Sequence, residues 1–402
     1  MARVSASDVI LALVVVTGVC FDFTNGFHDT ANAVATAIAT GALKPRVAVA
    51  MSAVLNLVGA FISIKVAATI AKGIVNAHVL SGTSGLSLVF AALIGAIIWN
   101  LTTWYFTMPS SSSHALIGGV IGATIVASSV KQVKVHGLLS SVIFPALFSP
   151  IICGLVAMVG TFSAYRLIKR IGENQARKGY RYGQIGSAAL VSLAHGTNDA
   201  QKTMGVITLA LIAHGDISAN HFYVPFWVKL ACATAIALGT AIGGWRIINT
   251  MGNRLTNIES PQGFSAESAS ASVILASSYY GYPLSTTQVV SGGVLGSGLG
   301  KQLASVHWNV VGQMVTAWVL TIPAAGVMGG IAWEISRIFG KGSASGSIVI
   351  GFLAAVAAGM IFQLAQRNKI GAHDLDRSGQ AEAEAESARD GGGPPLPAGA
   401  AA

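Results

Sequence analysis

The stretch PSSSSHALIGGVIG, residues 109–122, returns 174 residues later as PLSTTQVVSGGVLG, residues 283–296. Pro, Ser, Gly, Gly, Val and Gly are identical at matching places, and two Thr residues replace two Ser residues. A second, weaker pair, NGFHDTANAVAT at 25–36 and HGTNDAQKTMGV at 195–206, recurs in the same order with a displacement of 170 residues. Two motifs repeated in one order at nearly one spacing predict a chain of two homologous halves.

The composition indicates a membrane protein. Hydrophobic residues make up 53% of the chain and charged residues 10%, which excludes an ordinary soluble surface. Apolar runs that can cross a hydrocarbon core recur along the chain and predict about 10 to 12 membrane segments. Because backbone polar groups in lipid must be satisfied within each segment, the predicted fold class is an all-α polytopic protein. The expected location is the cell (cytoplasmic) membrane, with multiple passes.

Charge and composition divide the chain into four parts. We expect an N-terminal transmembrane repeat at 1–164, a basic linker at 165–183, a C-terminal transmembrane repeat at 184–366 and a disordered tail at 367–402. The positive-inside rule places the linker in the cytoplasm. The net charge of +9 therefore reflects membrane topology, and nucleic acid is not an expected partner. Duplicated halves interrupted by Gly, Pro and polar residues are typical of secondary transporters, in which broken helices or re-entrant hairpins line a cavity.

The two Pro-Ser/Thr stretches have the features of helix beginnings. Each places Pro in the first turn, then hydroxyl residues, then small apolar residues. The free backbone N–H groups and the positive end of each helix dipole suit an anion, and two such ends could hold a tetrahedral anion from both sides. The alternative is that the hydroxyls only cap two transmembrane helices. The candidates for substrate binding are Asn32, Ser111, Ser112, Ser113, Ser285, Thr286 and Thr287.

Asp29 and Asp199 occupy matching places in the weaker motif pair. An ionised carboxylate at membrane depth costs about 3 kcal/mol or more, so each needs a cation, a proton or a hydrogen-bond donor. We predict that they bind a coupling ion or proton and accept a hydrogen bond from a protonated substrate oxygen. Since phosphate near neutral pH carries hydrogens and sulfate carries none, such acceptors favour phosphate. The alternative for Asp199 is helix capping or an ion pair with Lys202.

Further polar residues adjoin these motifs. Glu267 precedes an apolar run, where it could hold a cation or proton or be an interfacial carboxylate at a helix start. His28, His114 and His195 titrate near neutral pH, although a structural, hydrogen-bonded role is the commoner one for each. Asp22 is similarly ambiguous. The additional candidates are Asn25, His28, His114, Asn198, Lys202, Glu267 and Gln288.

The four motifs together resemble those of the inorganic phosphate transporter (Pit/PiT) family. GFHDTAN and GTNDAQK resemble its Gly-x-Asn-Asp-x-x-Asn/Lys motif, PSSSSHALIGG and PLSTTQVVSGG resemble its Pro-x-Ser-Thr-Thr/Ser-His-like motif, and GFSAE resembles a further family segment. The resemblance covers nearly the whole chain except the tail. The chain departs from the pattern at His28, where the family often has Asn, and at Gln288, where it often has His.

The resemblance implies an inverted repeat, a homodimer and phosphate uptake coupled to Na⁺ or H⁺. NGFHDTANAVAT resembles bacterial members associated with proton-coupled, low-affinity uptake of phosphate or metal-phosphate. We therefore expect a symporter, not an enzyme, that imports inorganic phosphate, with H⁺ preferred and metal-phosphate as a further form of the substrate. No cofactor is expected beyond co-transported H⁺ or Na⁺, and the expected partners are phosphate, with or without a divalent metal, membrane lipid and a second copy of the chain.

Several alternatives stay open at this point. A Na⁺-coupled phosphate symporter, a sulfate or other oxyanion carrier and a channel all fit a duplicated membrane protein. An intramembrane serine hydrolase or phosphatase built on Ser113 and His114 fits less well, because the second half has Gln288 where the first has His114. The sequence also lacks a Gly-x-Ser-x-Gly elbow. The three cysteines are isolated and show no metal-binding spacing.

Overall fold

A computed structural model of the chain describes residues 5–171, 173–218, 220–301, 306–367 and 371–375. The described residues are mainly helical, and their β-pairing is confined to two isolated bridges, Val75 with Val133 and Thr256 with Val306. The first half contains α1 (Ala6–Ala39), α2 (Pro45–Gly59), α3 (Lys65–Gly73), α4 (Gly82–Tyr105), α5 (Ser112–Ala127), α6 (Val135–Leu138) and α7 (Phe144–Ile171). The second half contains α8 (Glu173–His214), α9 (Phe226–Ile242), α10 (Trp245–Asn253), α11 (Ser260–Tyr280), α12 (Thr286–Lys301) and α13 (Trp308–Arg337), and α14 (Ala344–Gln366) follows it.

Five of the described helical segments are long and apolar enough to cross a membrane: α1, α4, the segment from α6 into α7, α13 and α14. The pair α9 and α10 is bent by 68° and passes the same test as a sixth, broken span. Other described helices are shorter or more polar, as in α8, whose 42 residues include a basic start and a polar motif. Length and composition thus support five or six spans, compared with the about 10 to 12 membrane segments expected from sequence.

The packing of the helices is reciprocal between the two halves. Helix α1 packs on α9 while α8 packs on α2, and α5 packs on α13 while α12 packs on α7. Glycines allow the latter two crossings: a Cβ atom on Gly122 would lie 2.0 Å from the carbonyl oxygen of Gly326, and one on Gly296 would lie 1.9 Å from that of Gly154. The same close approach at matching places in both halves is the packing expected of a duplicated chain.

The helices that begin the two halves, α1 and α8, run antiparallel. The start of α1 meets the end of α8, where Asp8 Oδ1 lies 3.1 Å from His214 Nε2. The end of α1 meets the start of α8, where Thr40 donates a 2.8 Å hydrogen bond to Gln184. Both opening motifs lie inside these unbroken helices. The first motif does not interrupt its helix, and His28, Asp29 and Asn32 find hydrogen-bond partners on neighbouring segments.

The Pro-Ser/Thr motifs do lie at the tips of helical hairpins. Helices α4 and α5 pack together and are joined by residues 106–111, and α11 and α12 pack together and are joined by residues 281–285. The backbone turns through positive φ angles near each tip, 57° at Thr107 and 81° at Gly281. The hydroxyl residues of both motifs consequently stand in the first turns of α5 and α12.

The charged segments flank this helical core. The described part of residues 165–183 continues α7 to Ile171 and begins α8 at Glu173, so the segment predicted as a basic linker is helical rather than a loop. Its described basic side chains are exposed: Arg166, Lys169, Arg170, Lys178 and Arg181. The predicted disordered tail, 367–402, lies largely outside the described residues.

Candidate functional site

Side chains from α1, α8 and the first turns of α5 and α12 converge in the interior. Every residue predicted to take part in the site is exposed by 5% or less. The groups brought together are Asp29, Asn32, Asp199, Lys202, Ser113, Thr286 and Thr287. The structure therefore unites residues from all four motifs in one buried polar cluster, which is closed to solvent in this conformation.

The opening helix of each half contacts the hydroxyl cluster of the other half. On α1, the Asn32 amide donates to the Thr287 hydroxyl at 2.9 Å and to the Thr286 hydroxyl at 3.4 Å. On α8, the Lys202 ammonium donates to the Ser113 hydroxyl at 2.5 Å. Asn32 and Lys202 occupy matching places in the repeat, so the two halves exchange equivalent contacts. At this position the first half has a neutral amide, and the second half has a positively charged ammonium.

Asp29 is linked to the first hairpin through His28. Its Oδ1 lies 2.7 Å from His28 Nδ1 and 3.5 Å from the donating hydroxyl of Thr287. The other ring nitrogen of His28 lies 3.2 Å from the Thr103 hydroxyl and 3.4 Å from the Ser110 hydroxyl. Since a carboxylate oxygen can only accept, Nδ1–H is the donor in the contact with Asp29. His28 therefore orients Asp29 and fixes α1 to the tip of the α4–α5 hairpin.

Asp199 forms the ion pair with Lys202 that the sequence offered as an alternative. Lys202 Nζ lies 2.6 Å from Asp199 Oδ1 and also donates to Ser113 and, at 2.7 Å, to the Leu284 carbonyl. All three ammonium N–H groups thus have acceptors. The second oxygen of Asp199 accepts from the Thr286 hydroxyl at 3.2 Å and lies 3.3 Å from His195 Nε2. Lys202 connects α8 to both hairpins at once.

Asp29, His195 and Asp199 form a cluster of potential cation ligands. One nitrogen or oxygen atom from each lies within 4.8 Å of the others, and all three residues are buried. Carboxylate oxygens suit hard cations, and an added imidazole also suits a transition metal. Against these two carboxylates Lys202 supplies one positive charge, which is paired with Asp199. A bound cation or proton would complete the charge balance that a membrane interior requires.

The hydroxyl clusters divide into caps and donors. Ser111 accepts the His114 backbone N–H at 3.1 Å, and the matching Ser285 accepts the Gln288 backbone N–H at 3.3 Å. These two serines cap α5 and α12, as the alternative interpretation of the motifs required. Ser112 differs, because its buried hydroxyl oxygen has no hydrogen-bond partner among the described residues. Ser112 is thus a donor available to a ligand at the tip of the first hairpin.

Four candidates lie beside the cluster rather than in it. His114 and Gln288 line an apolar groove of about 620 Å³ between α7, α12 and α13. Asn198 donates a 2.9 Å hydrogen bond to Ser278 and so ties α8 to α11. The side-chain oxygen of Asn25 is buried and has no partner among the described residues.

Glu267 forms a separate buried site between α11, α1 and the early part of α8. Its carboxylate accepts hydrogen bonds from Thr36 and Ser187 at 2.5 Å each and from the Gln184 amide at 3.4 Å. Thr36 lies seven residues, about two helical turns, beyond Asp29 on α1. Glu267 is therefore well supplied with donors by α1 and α8 and lies outside the central cluster.

Sequence reasoning missed several members of these networks. Thr36 carried a signal, since Asp22, Asp29 and Thr36 are spaced by seven residues and must share one face of a helix. Thr103, Ser187 and the Leu284 carbonyl carried none, because ordinary polar residues acquire meaning only when distant helices pack.

Comparison with known proteins places this geometry in a family. The chain matches the model of the phosphate transporter family twice, over residues 25–178 and 168–329. The "Probable low-affinity inorganic phosphate transporter" of Mycobacterium bovis is 56% identical over 331 residues, covering 82% of this chain and 78% of that protein. The protein of the same name from Bacillus subtilis is 44% identical over 336 residues, covering 82% and 98%.

A solved structure agrees with the fold. "The sodium-dependent phosphate transporter" superposes with a TM-score of 0.75 at 23% identity, covering 82% of this chain and 99% of that one. The two successive family matches correspond to the duplicated halves seen in the helix packing. The relatives are named as transporters, which agrees with a non-enzymatic, multi-pass membrane protein. The chain therefore belongs to the phosphate transporter family.

Proposed function

We propose that this protein is a secondary active transporter that imports inorganic phosphate together with H⁺. The observation that carries the proposal is the meeting of two buried carboxylates, Asp29 and Asp199, at the hydroxyl cluster of the second hairpin, with Lys202 paired to Asp199. Relatives named as inorganic phosphate transporters support the choice of substrate. The antiparallel α1 and α8 support an inverted repeat, and the homodimer stays a prediction.

The cluster offers both donors and acceptors to a tetrahedral anion. The first turns of α5 and α12 present hydroxyls and helix N-termini, and Ser112 has a hydroxyl without another partner among the described residues. Asp29 and Asp199 accept hydrogen bonds from Thr287 and Thr286, and the same carboxylates can accept a hydrogen bond from a phosphate O–H. Sulfate has no hydrogen to give there, so its oxygens would face the carboxylates with no hydrogen between them, which disfavours its binding.

Charge explains why phosphate would enter with a proton. Two carboxylates and one ammonium already leave an excess of negative charge, and a bound phosphate adds to it. His28 and His195 each contact one of the carboxylates, so the added proton can be shared between a carboxylate and an imidazole nitrogen. Lys202 acts as a built-in cation for the second half, where the first half has neutral Asn32.

The same ligands support metal-phosphate as a second form of the substrate. Asp29, His195 and Asp199 could contact a divalent metal that accompanies phosphate. A hydrolase mechanism is disfavoured. The Ser113 hydroxyl is already hydrogen-bonded to Lys202 and to the Leu284 carbonyl, and His114, which would have to activate this hydroxyl, lines the apolar groove instead.

Ser112→Ala tests the substrate assignment. Loss of a hydroxyl that donates to an anion should weaken phosphate binding by about tenfold or more. Ser128→Ala is the matched control, because Ser128 is exposed at the other end of α5. Binding of radiolabelled phosphate to purified protein, with excess sulfate as competitor, measures both effects. Equal phosphate affinity in the two variants, or efficient displacement by sulfate, would contradict the proposed site.

A further inference from the structure

Asp22 is a buried acid that the proposed site does not use. It lies on α1 with 0% exposure, between α8 and α9. The Thr203 hydroxyl donates to its Oδ1, and the Cys232 thiol on α9 is a further neighbour. Its Oδ2 has no hydrogen-bond partner among the described residues. An acid so deeply placed in a membrane helix requires a specific reason.

A polar stripe on α1 leads from Asp22 to the central cluster. Asp22, Asn25 and Asp29 are spaced by three and then four residues and therefore share one helix face. The Asn25 side-chain oxygen also lacks a partner among the described residues, so two unpaired buried oxygens adjoin each other on this stripe. Asp22 and Asp29 are about 10 Å apart along the helix. At this distance a proton bound to Asp22 interacts electrostatically with a charge in the substrate site.

Among the described groups that face Asp22, we find no cation that is free to pair with its carboxylate. The charged residues that act on it are Asp199 and Lys202, both on α8, and the ammonium of Lys202 is already bound to Asp199, Ser113 and Leu284. From α9 it faces the thiol of Cys232. The geometry thus accommodates Asp22 as a neutral carboxylic acid, whereas the ionised form would add a further negative charge near Asp199.

We propose that Asp22 is a second proton-binding site whose protonation is linked to phosphate binding at the central cluster. Binding forms one O–H bond on the carboxylate, and release to water on the opposite side breaks it, with no other bond changed. The linkage is reciprocal, since a neutral Asp22 favours the anion and the anion favours a neutral Asp22. A unit charge about 10 Å away at a partly screened site changes anion affinity by about tenfold. The inference rests on the proposed proton-phosphate symport.

The test compares Asp22→Asn and Asp22→Glu with the wild type and with Thr30→Val. The Thr30 control removes a buried hydroxyl from the same helix. This hydroxyl donates to the backbone carbonyl of Gly26, one turn earlier in α1. Two readouts are taken in proteoliposomes: phosphate–phosphate exchange at equal pH, and accumulation driven by an inward H⁺ gradient. A merely structural residue would change both together.

Asp22→Asn should keep exchange within about twofold of the wild type and lose about tenfold of the gradient-driven accumulation. Its apparent phosphate affinity should also vary less with pH, and Asp22→Glu should restore that variation. Accumulation and pH dependence like those of the wild type in Asp22→Asn would overturn the inference, as would equal loss of exchange and accumulation in both Asp22 variants. Absence of H⁺-driven phosphate uptake by the wild type would instead overturn the proposed function, and this inference with it.

Discussion

Lys202→Met separates the structural from the electrostatic role of the central ion pair. The substitution removes the ammonium that lies 2.6 Å from Asp199 Oδ1 and leaves a fully buried carboxylate without its counter-charge. Breaking a buried pair from one side costs about 3–5 kcal/mol of stability. Ser113 and the Leu284 carbonyl also lose a donor, at about 1 kcal/mol each. Asp199→Asn combined with Lys202→Met removes both charges and should recover about 2–3 kcal/mol of that loss.

Thermal unfolding of the purified variants in detergent measures this coupling. Lys202→Met should melt well below the wild type, and the double variant should melt between them. Because a cation can take the place of the missing ammonium, added Na⁺ should stabilise Lys202→Met more than the double variant. Equal melting of the single and double variants, or a wild-type melting temperature for Lys202→Met, would refute the assignment of Lys202 as the counter-charge of Asp199.

Three further predictions concern transport and the tail. Asp29→Asn should reduce coupled phosphate uptake by about tenfold or more in a correctly inserted protein, because it neutralises the carboxylate proposed to hold the coupling ion; near-normal accumulation in proteoliposomes would rule out that role. Thr286→Ala with Thr287→Ala should weaken phosphate binding by about tenfold while shifting the melting temperature little, and an unchanged binding isotherm would argue against an anion site on α12. Deletion of the residues after Asn368 should leave uptake rates intact, whereas loss of uptake by the inserted truncation would show that the tail is needed.

The duplication and the site motifs were predictable because they consist of unusual residues at matched spacing. Polar side chains in an apolar chain are few, so the pairs at Asp29 and Asp199 and at the two Pro-Ser/Thr stretches stood out. Helix-start chemistry also predicted where α5 and α12 begin, at Ser112 and Thr286.

The partner of each residue was not predictable. Asn32 contacts Thr287 in the opposite half, and Lys202 contacts Ser113, because α1 and α8 cross the tips of both hairpins. A local sequence pattern does not indicate which distant helices will pack against one another. Glu267 likewise acquired its partner Thr36 only through packing.

Phosphate uptake into proteoliposomes, with an H⁺ gradient and a Na⁺ gradient imposed separately, tests the central claim most directly. The proposed chemistry of Asp29, Asp199 and their histidine neighbours predicts accumulation of radiolabelled phosphate driven by the inward H⁺ gradient and unaffected by excess sulfate. Accumulation driven by Na⁺ alone would contradict the proton coupling. Absence of gradient-driven phosphate uptake by folded, inserted protein would contradict the assignment of the buried cluster as a phosphate site.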